Sequence, residues 1–327
     1  MRKSIIDYLK SSKGSFISGE EIAKKLGISR AAVWKHIQQL RKTGYKILSS
    51  EHSGYKLQVA PDLLLPSEIQ AGLKSEIIGK RISYHITTDS TNRIAKALAN
   101  EGAEDGTIVI AEEQTGGKGR LGRSFFSPKY KSILMSILLK PAFLPHEAPK
   151  CTLMAAVAVA NTMREFDLRP EIKWPNDILY DGRKVVGILT EISAEIEKIN
   201  YIVIGTGINV NIERDEFPEE LRDIAASLSE MKGDKVPRID FLRVLLEEFD
   251  KLYIEAKQQG FAEILNQWRK YNITLGKSIK VIPAGGGEEF TAVAEDIDDE
   301  GALIVKTSKG VEKVYAGDVS IRDRSIN

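Results

Sequence analysis

A chain of 327 residues has room for two or three domains, and its apolar share of 42% can bury a core in each. Lys and Arg (47) nearly balance Asp and Glu (46), so the net charge of +1 excludes a uniformly basic or acidic protein. One cysteine, Cys151, excludes an internal disulfide, and with four histidines it leaves too few ligands for an ordinary zinc site. No apolar run is long enough to cross a membrane and no signal-like segment opens the sequence, so a cytoplasmic protein with no membrane partner is expected.

The balanced total hides an asymmetry. Residues 1–60 hold twelve Lys and Arg against four Asp and Glu, whereas the rest hold thirty-five against forty-two. A basic module on an acidic body suggests that one part meets nucleic acid and the other does not.

Within the basic part, Ile5, Ile6 and Leu9 give a first helix its apolar face. Ser18 caps a second helix, with Glu21 three residues on as a capping box requires, and Gly27 ends it. Ser29 caps a third, Arg30 to Thr43, buried through Val33, Ile37 and Leu40. Its other face carries Arg30, Ala31, Trp34, Lys35 and Gln38. Two short helices joined by a three-residue turn, the second cationic outside, predict a helix-turn-helix; the hairpin through Tyr45–Leu48 and Tyr55–Leu57 reads as its wing. The plainer alternative is a small helical domain with a solvated basic face. Trp34 either reaches the DNA groove or packs on the wing.

The acidic body follows a linker at 61–66. A helix is predicted from Pro66 through Ile69, Leu73 and Ile77, then a strand from Ser83 to Thr87. Thr88-Asp89-Ser90-Thr91-Asn92 is a polar turn entering a helix to Asn100; it either caps that helix or offers hydroxyls and an amide to a small ligand. A strand from Gly106 to Glu112 delivers the chain to Gly116-Gly117-Lys118-Gly119-Arg120-Leu121-Gly122-Arg123. Four glycines and three cations in eight residues make either an anion-binding loop that closes over a phosphorylated ligand or a solvated surface loop. Gly117-x-Gly119-x-x-Gly122 imitates a dinucleotide fingerprint, but Ser124-Phe125-Phe126-Ser127-Pro128 opens no helix after it. No Ser or Thr follows Lys118, so it is no Walker loop either.

Ser132 to Leu139 is the next strand, and Pro149 to Phe166 a buried Ala-rich helix. In Lys173-Trp174-Pro175-Asn176-Asp177 the proline interrupts a strand; Asp177 either takes Mg²⁺ or pairs with Lys173. The turn Tyr180–Arg183 leads to an apolar strand headed by Lys184, which is a solvated end charge or a cation aimed at a site. Tyr201–Ile204 runs into Gly205-Thr206-Gly207-Ile208-Asn209. Helices are predicted at 238–259 and 261–271, and from Gly276 to Arg322 strands alternate with turns such as Gly285-Gly286-Gly287 and Asp298-Asp299-Glu300-Gly301, as in a small β barrel.

Taken together, Asp89-Ser90-Thr91-Asn92, Gln114 with the glycine loop, Lys173–Asp177, Gly182–Leu189 and Gly205–Asn209 resemble the bifunctional biotin protein ligases that also repress biotin genes. The likeness spans essentially the whole chain. It implies an α/β (α+β) multidomain architecture: a winged helix-turn-helix (1–60), a linker (61–66), a mixed-sheet ligase domain of class II synthetase-like type (67–273) and an SH3-like β-barrel (274–327). The implied reaction joins biotin and ATP to biotinyl-5′-AMP, then passes biotin to a lysine of biotin carboxyl carrier protein. Without acceptor, the adenylate-loaded chain is expected to dimerise and bind operator DNA.

The resemblance also assigns residues. Lys184 and Arg120 are catalytic cations, with Asp177 the candidate to orient or deprotonate the incoming lysine. Ser90, Thr91, Asn92, Gln114, Lys118, Gly119, Arg120 and Lys184 are expected to bind biotin. Gly117, Lys118, Arg120, Asn176, Lys184 and Asn209 are expected at the nucleotide. Arg30, Ala31, Trp34, Lys35 and Gln38 are expected at DNA. Mg²⁺ escorts pyrophosphate, near Asp177, with no protein cage. Relatives often carry arginines where this chain has Lys118 and Leu121, which alters the charge held over the adenylate. The strand 184–193 is the expected edge for pairing with a second copy. The alternatives are a lipoate ligase of the same fold, a regulator that senses biotin without catalysing, and a ligase whose winged helix is vestigial.

Overall fold

The computed structural model describes residues 2–12, 14–42, 44–50, 53–59, 62–283, 288–315 and 317–321; Thr43, Ala60, Pro61, Gly285–Gly287 and Arg322 lie outside that set. It divides into two compact units, 1–63 and 64–327.

In the first unit, α1 (Arg2–Ser11), α2 (Gly19–Leu26) and α3 (Arg30–Lys42) precede the antiparallel pair β1 (Lys46–Ser50) and β2 (Gly54–Val59). The Ser18 hydroxyl accepts the Glu21 N–H at 3.0 Å, and Gly27 ends α2 in the left-handed region at φ 65°. Ile5, Ile6, Leu9, Ile22, Val33, Ile37 and Leu40 form the small core. Arg41 donates through Nε and Nη2 to the Ile47 carbonyl at 2.9 and 2.6 Å, fastening α3 to the wing. Ile17 exchanges both backbone bonds with Tyr55 at 2.9 and 2.8 Å, a short rung added to the hairpin that no local pattern marks.

The second unit opens at Leu64, whose N–H donates to Glu112 Oε1 at 2.7 Å. Next come α4 (Pro66–Gln70), β3 (Ile82–His85), α5 (Thr91–Asn100), β4 (Ile108–Ala111), β5 (Ser132–Leu139), α6 (Ala148–Glu165), β6 (Glu171–Lys173), β7 (Asp177–Tyr180), β8 (Arg183–Ala194) and β9 (Ile199–Asn209). The chain continues through α7 (Leu228–Lys232), α8 (Arg238–Gln259) and α9 (Ala262–Tyr271). Its seven-stranded sheet runs β3-β4-β5-β9-β8-β7-β6; only β3 and β4 are parallel.

Strand alternation builds three layers. Ile108, Ile110, Ile137, Ile202 and Ile204 face α6, α8 and α9, while Val109, Leu138 and Val203 face Ala95 and Ala99 of α5. The predicted helix from Pro66 to Ile77 stops at Gln70. Gly72 turns the chain at φ 93°, and the Asp250 carboxylate then takes the N–H groups of Glu76, Ile77 and Ile78 at 2.6–2.8 Å. A side chain far along the sequence thus overrides the local helical pattern.

The C-terminal strands β10 (Ser278–Pro283), β11 (Phe290–Ile297), β12 (Leu303–Thr307), β13 (Gly310–Val314) and β14 (Gly317–Ile321) form an antiparallel sheet in the order β13-β12-β11-β10-β14. Trp174 joins it to the seven-stranded sheet: its N–H donates to Thr274 Oγ1 at 2.9 Å and its indole to the Gly301 carbonyl at 3.3 Å. No described helix is long and apolar enough to cross a membrane.

Candidate functional site

On the α5 side of the sheet, beyond that helix's first turn, lies a cavity of about 1240 Å³. Small residues at four strand positions, Ser136, Gly187, Gly205 and Gly207, keep its floor low. Register aligns Ser136, Gly205 and Leu189 in one row and Leu134, Gly207 and Gly187 in the next. A methyl on Gly205 would strike the Asn92 amide, and one on Gly207 would lie 2.7 Å from the Phe125 ring. One on Gly187 would lie 2.8 Å from the Lys184 side chain. Glycine at these three strand positions therefore makes room for three side chains that shape the site.

The polar turn serves both of its suggested ends. Ser90 caps α5 by accepting the Arg93 N–H, and it also lines the cavity with Thr91 and Asn92. Gln114 comes in from the end of β4, where its Oε1 accepts the Thr91 N–H at 2.7 Å. This end of the cavity is rich in neutral hydrogen-bonding groups.

The other end is cationic, with Lys118, Arg120, Arg123, Lys173 and Lys184 on its walls. The tight Asp181-Gly182 turn, with φ 49° and 73°, joins β7 to β8 and brings Lys184 beside Asp177. Lys184 Nζ lies 2.6 Å from Asp177 Oδ1, so this cation has a counter-ion inside the site. Arg120 Nη1 points at Asn176 Oδ1 at 3.4 Å, and Asn176 is itself held by the Ile188 carbonyl at 2.6 Å. Asn209 also lines the wall; its Nδ2 donates to Ala226 O at 3.0 Å, while its buried Oδ1 has no partner.

The glycine loop departs from an open nest. Gly116 N–H is taken by Asp89 O at 3.0 Å and Gly119 N–H by Arg123 O at 2.7 Å, around a short 3₁₀ turn at Arg120–Gly122. Gly119 lines the cavity; Gly117 is set back, its carbonyl accepting the Phe125 N–H at 3.0 Å. Toward the cavity the loop therefore offers mainly its cationic side chains.

Sequence reasoning passed over Ser136, Lys96, Glu191 and Phe125. A serine inside Ile-Leu-Met-Ser-Ile-Leu and a glutamate inside an apolar strand were the available signals. Burial raises the Glu191 pKa, but hydrogen bonds from Lys96 and Asn92 and the charges of Lys96 and Lys118 outweigh it and hold the carboxyl below its usual range. Cys151 is no candidate nucleophile: burial pushes its thiol up to about 12. Among the described residues no three His, Cys, Asp or Glu side chains gather to hold a metal. Asp177, the residue expected near Mg²⁺, already faces the Lys184 ammonium.

In the first unit Arg30, Ala31, Trp34 and Lys35 are exposed on α3 and Gln38 is half-buried. Trp34 is 57% exposed, so the wing does not cover it.

Comparison with known proteins locates these features. Residues 84–209 match the model of the biotin/lipoate A/B protein ligase family, 2–56 an HTH domain and 274–322 the biotin protein ligase C terminal domain. The bifunctional ligase/repressor BirA of Bacillus subtilis is 41% identical over 98% of both chains. The protein of the same name from Escherichia coli is 30% identical over 94% of both. A biotin protein ligase from Aquifex aeolicus, solved with biotin and ATP, is 27% identical and covers 74% of this chain and 99% of its own, with a TM-score of 0.64.

Proposed function

The chain belongs to the family of bifunctional biotin ligase/repressors, and from that we infer that it activates biotin with ATP and transfers it to a protein lysine. The observation that carries this reading is a single cavity with a neutral hydrogen-bonding end at Ser90, Thr91 and Gln114 and a cationic end at Lys118, Arg120 and Lys184.

Two anions must meet for the first step, the biotin carboxylate and the ATP α-phosphate. Their repulsion, and the charge that grows on the phosphate, call for fixed cations. Lys184 serves both anions, exchanging Asp177 for them as they bind. Arg120, steadied by Asn176, holds the mixed anhydride, and Lys118 and Gly119 cover it, with Gly117 shaping the loop. Ser90, Thr91, Asn92 and Gln114 surround the ureido ring; Asn209 steadies the wall beside the nucleotide. Mg²⁺ would be held by the ATP phosphates beside Asp177 rather than by a protein cage, and would supply positive charge to the pyrophosphate. Asp177, once Lys184 has turned to the anhydride, is free to orient and deprotonate the incoming lysine of biotin carboxyl carrier protein or a related acceptor domain.

Repression follows when acceptor is scarce. The loaded chain pairs with a second copy and presents two winged helices to an operator, with Arg30, Ala31, Trp34, Lys35 and Gln38 at the groove. The pairing edge is shorter than 184–193. Residues 183, 184, 186 and 187 pair with β7, residues 186–194 pair with β9 on the other side, and Ile188 N–H goes to Asn176 O, which leaves 189–194 as the stretch with one open edge among the described residues. The cytoplasm, where biotin enzymes and operators coexist, is the proposed compartment.

A competition between biotin and lipoate for adenylation tests the substrate. Biotin should win by orders of magnitude; equal use or a preference for lipoate would move the chain to the lipoate branch of the family.

A further inference from the structure

Beside Thr91 and Asn92, a chain of hydrogen bonds runs along the cavity wall to Glu191 and Lys96. Glu191 receives the Lys96 ammonium on Oε1 and the Asn92 amide on Oε2, each at 2.8 Å. The same amide nitrogen reaches the Leu189 carbonyl at 3.3 Å. Both of its partners can only accept, so the Asn92 side chain has one permitted orientation. Its Oδ1 therefore faces Ser136 Oγ, 2.6 Å away, and takes that hydroxyl's single proton.

Thr91 Oγ1 lies 2.7 Å from the same Ser136 Oγ and 3.0 Å from Gln114 Oε1. With the Ser136 proton committed to Asn92, the Thr91–Ser136 contact needs the proton of Thr91. Gln114 Oε1, the other neighbour, also only accepts. Either way the Thr91 proton stays inside the protein, and a lone pair is left for the cavity.

We propose that the Lys96–Glu191 pair sets the hydrogen-bond polarity at the neutral end of the cavity, so that Thr91 acts as an acceptor and demands an N–H from the ligand. This rests on the biotin reading above, in which the ligand is a cyclic urea. Lys96, Glu191 and Ser136 are positioning residues: they act through Asn92 and Thr91. Glu191 is the shorter and charged acceptor that holds the relay in this direction, with the Leu189 carbonyl as a second acceptor on the same amide nitrogen. A site with a fixed acceptor discriminates strongly against an isostere that brings oxygen where N–H is needed, because two acceptors then face each other.

The test measures Kd on the full-length protein for biotin and for the two cyclic carbamates in which one or the other urea N–H is replaced by oxygen. Wild type should prefer biotin over at least one carbamate by about a hundredfold or more. Glu191→Gln keeps the shape but removes the charged acceptor and can donate, which lets Asn92 turn over and donate to Ser136, whose proton then passes to Thr91; the Thr91 proton is then shared between Gln114 Oε1 and the ligand. The preference should then shrink by about tenfold or more. The exchange Lys96→Glu with Glu191→Lys restores the ion pair but places a donor against Asn92, so the preference should stay reduced. Recovery of the wild-type ratio in the exchange, or an unchanged ratio in Glu191→Gln, would overturn the polarity relay alone. A wild type that binds no biotin would overturn the ligase reading and the relay with it.

Discussion

At the residue scale, the proposed reaction gives Lys184 and Arg120 different tasks. Lys184 lines the cavity, with Asp177 Oδ1 2.6 Å from its ammonium, and is proposed to serve both anions. Lys184→Ala should slow adenylate formation by about a hundredfold or more, the scale of losing one preorganised donor to a growing negative charge. A single-turnover assay within a few-fold of wild type would remove Lys184 from the chemistry. Arg120 has a different task, so Arg120→Gly should still form adenylate but release it, and bystander lysines in a protein mixture should become biotinylated. Labelling confined to the carrier protein would contradict the retaining role. Motif order made these cations legible. The Lys184–Asp177 contact was not, because a strand register brings it about and Lys173 was the nearer partner in sequence.

At the scale of elements, the buried pair Arg238–Glu112 ties the start of α8 to the end of β4. Both side chains are fully buried. Glu112 also accepts the Leu64 N–H and the Tyr84 hydroxyl, and Arg238 donates to the Ser132 carbonyl at 2.8 Å. Burial and the Glu112 charge push the Tyr84 phenol upward, so it remains a donor at neutral pH. Arg238→Met would leave Glu112 buried without its counter-ion and should cost about 3–5 kcal/mol, read as a lower urea midpoint. A loss below about 1 kcal/mol would mean that the pair is no anchor. Elements with a strong local pattern, such as α3 and β5, could be read from the sequence almost to their ends. The segment 71–78 could not, since its shape is dictated by Asp250 from another helix. The glycines of β8 and β9 were visible as a motif, but their purpose needed the register that sets Asn92, Phe125 and Lys184 above them.

On the scale of the whole molecule, charge separates two tasks. The winged-helix unit carries the basic excess, and the unit from Leu64 onward contains the entire cavity. Operator binding by the adenylate-loaded chain should therefore weaken steeply with salt. Replacing Arg30 and Lys35 together by Ala should reduce the log–log salt slope by up to about 1.8, if each displaces a counterion. An unchanged slope would take the exposed face of α3 off the DNA. The domain order was legible because each part has its own composition and period. The polar network on this cavity wall was not, because Ser136, Asn92 and Glu191 meet only across three separate segments. The most direct test of the central claim is to incubate the purified chain with biotin, Mg²⁺ and α-labelled ATP, without acceptor, and to recover the protein rapidly. Labelled biotinyl-5′-AMP retained on the chain is the expected result; biotin bound with no adenylate formed would contradict ligase chemistry and leave only a sensor.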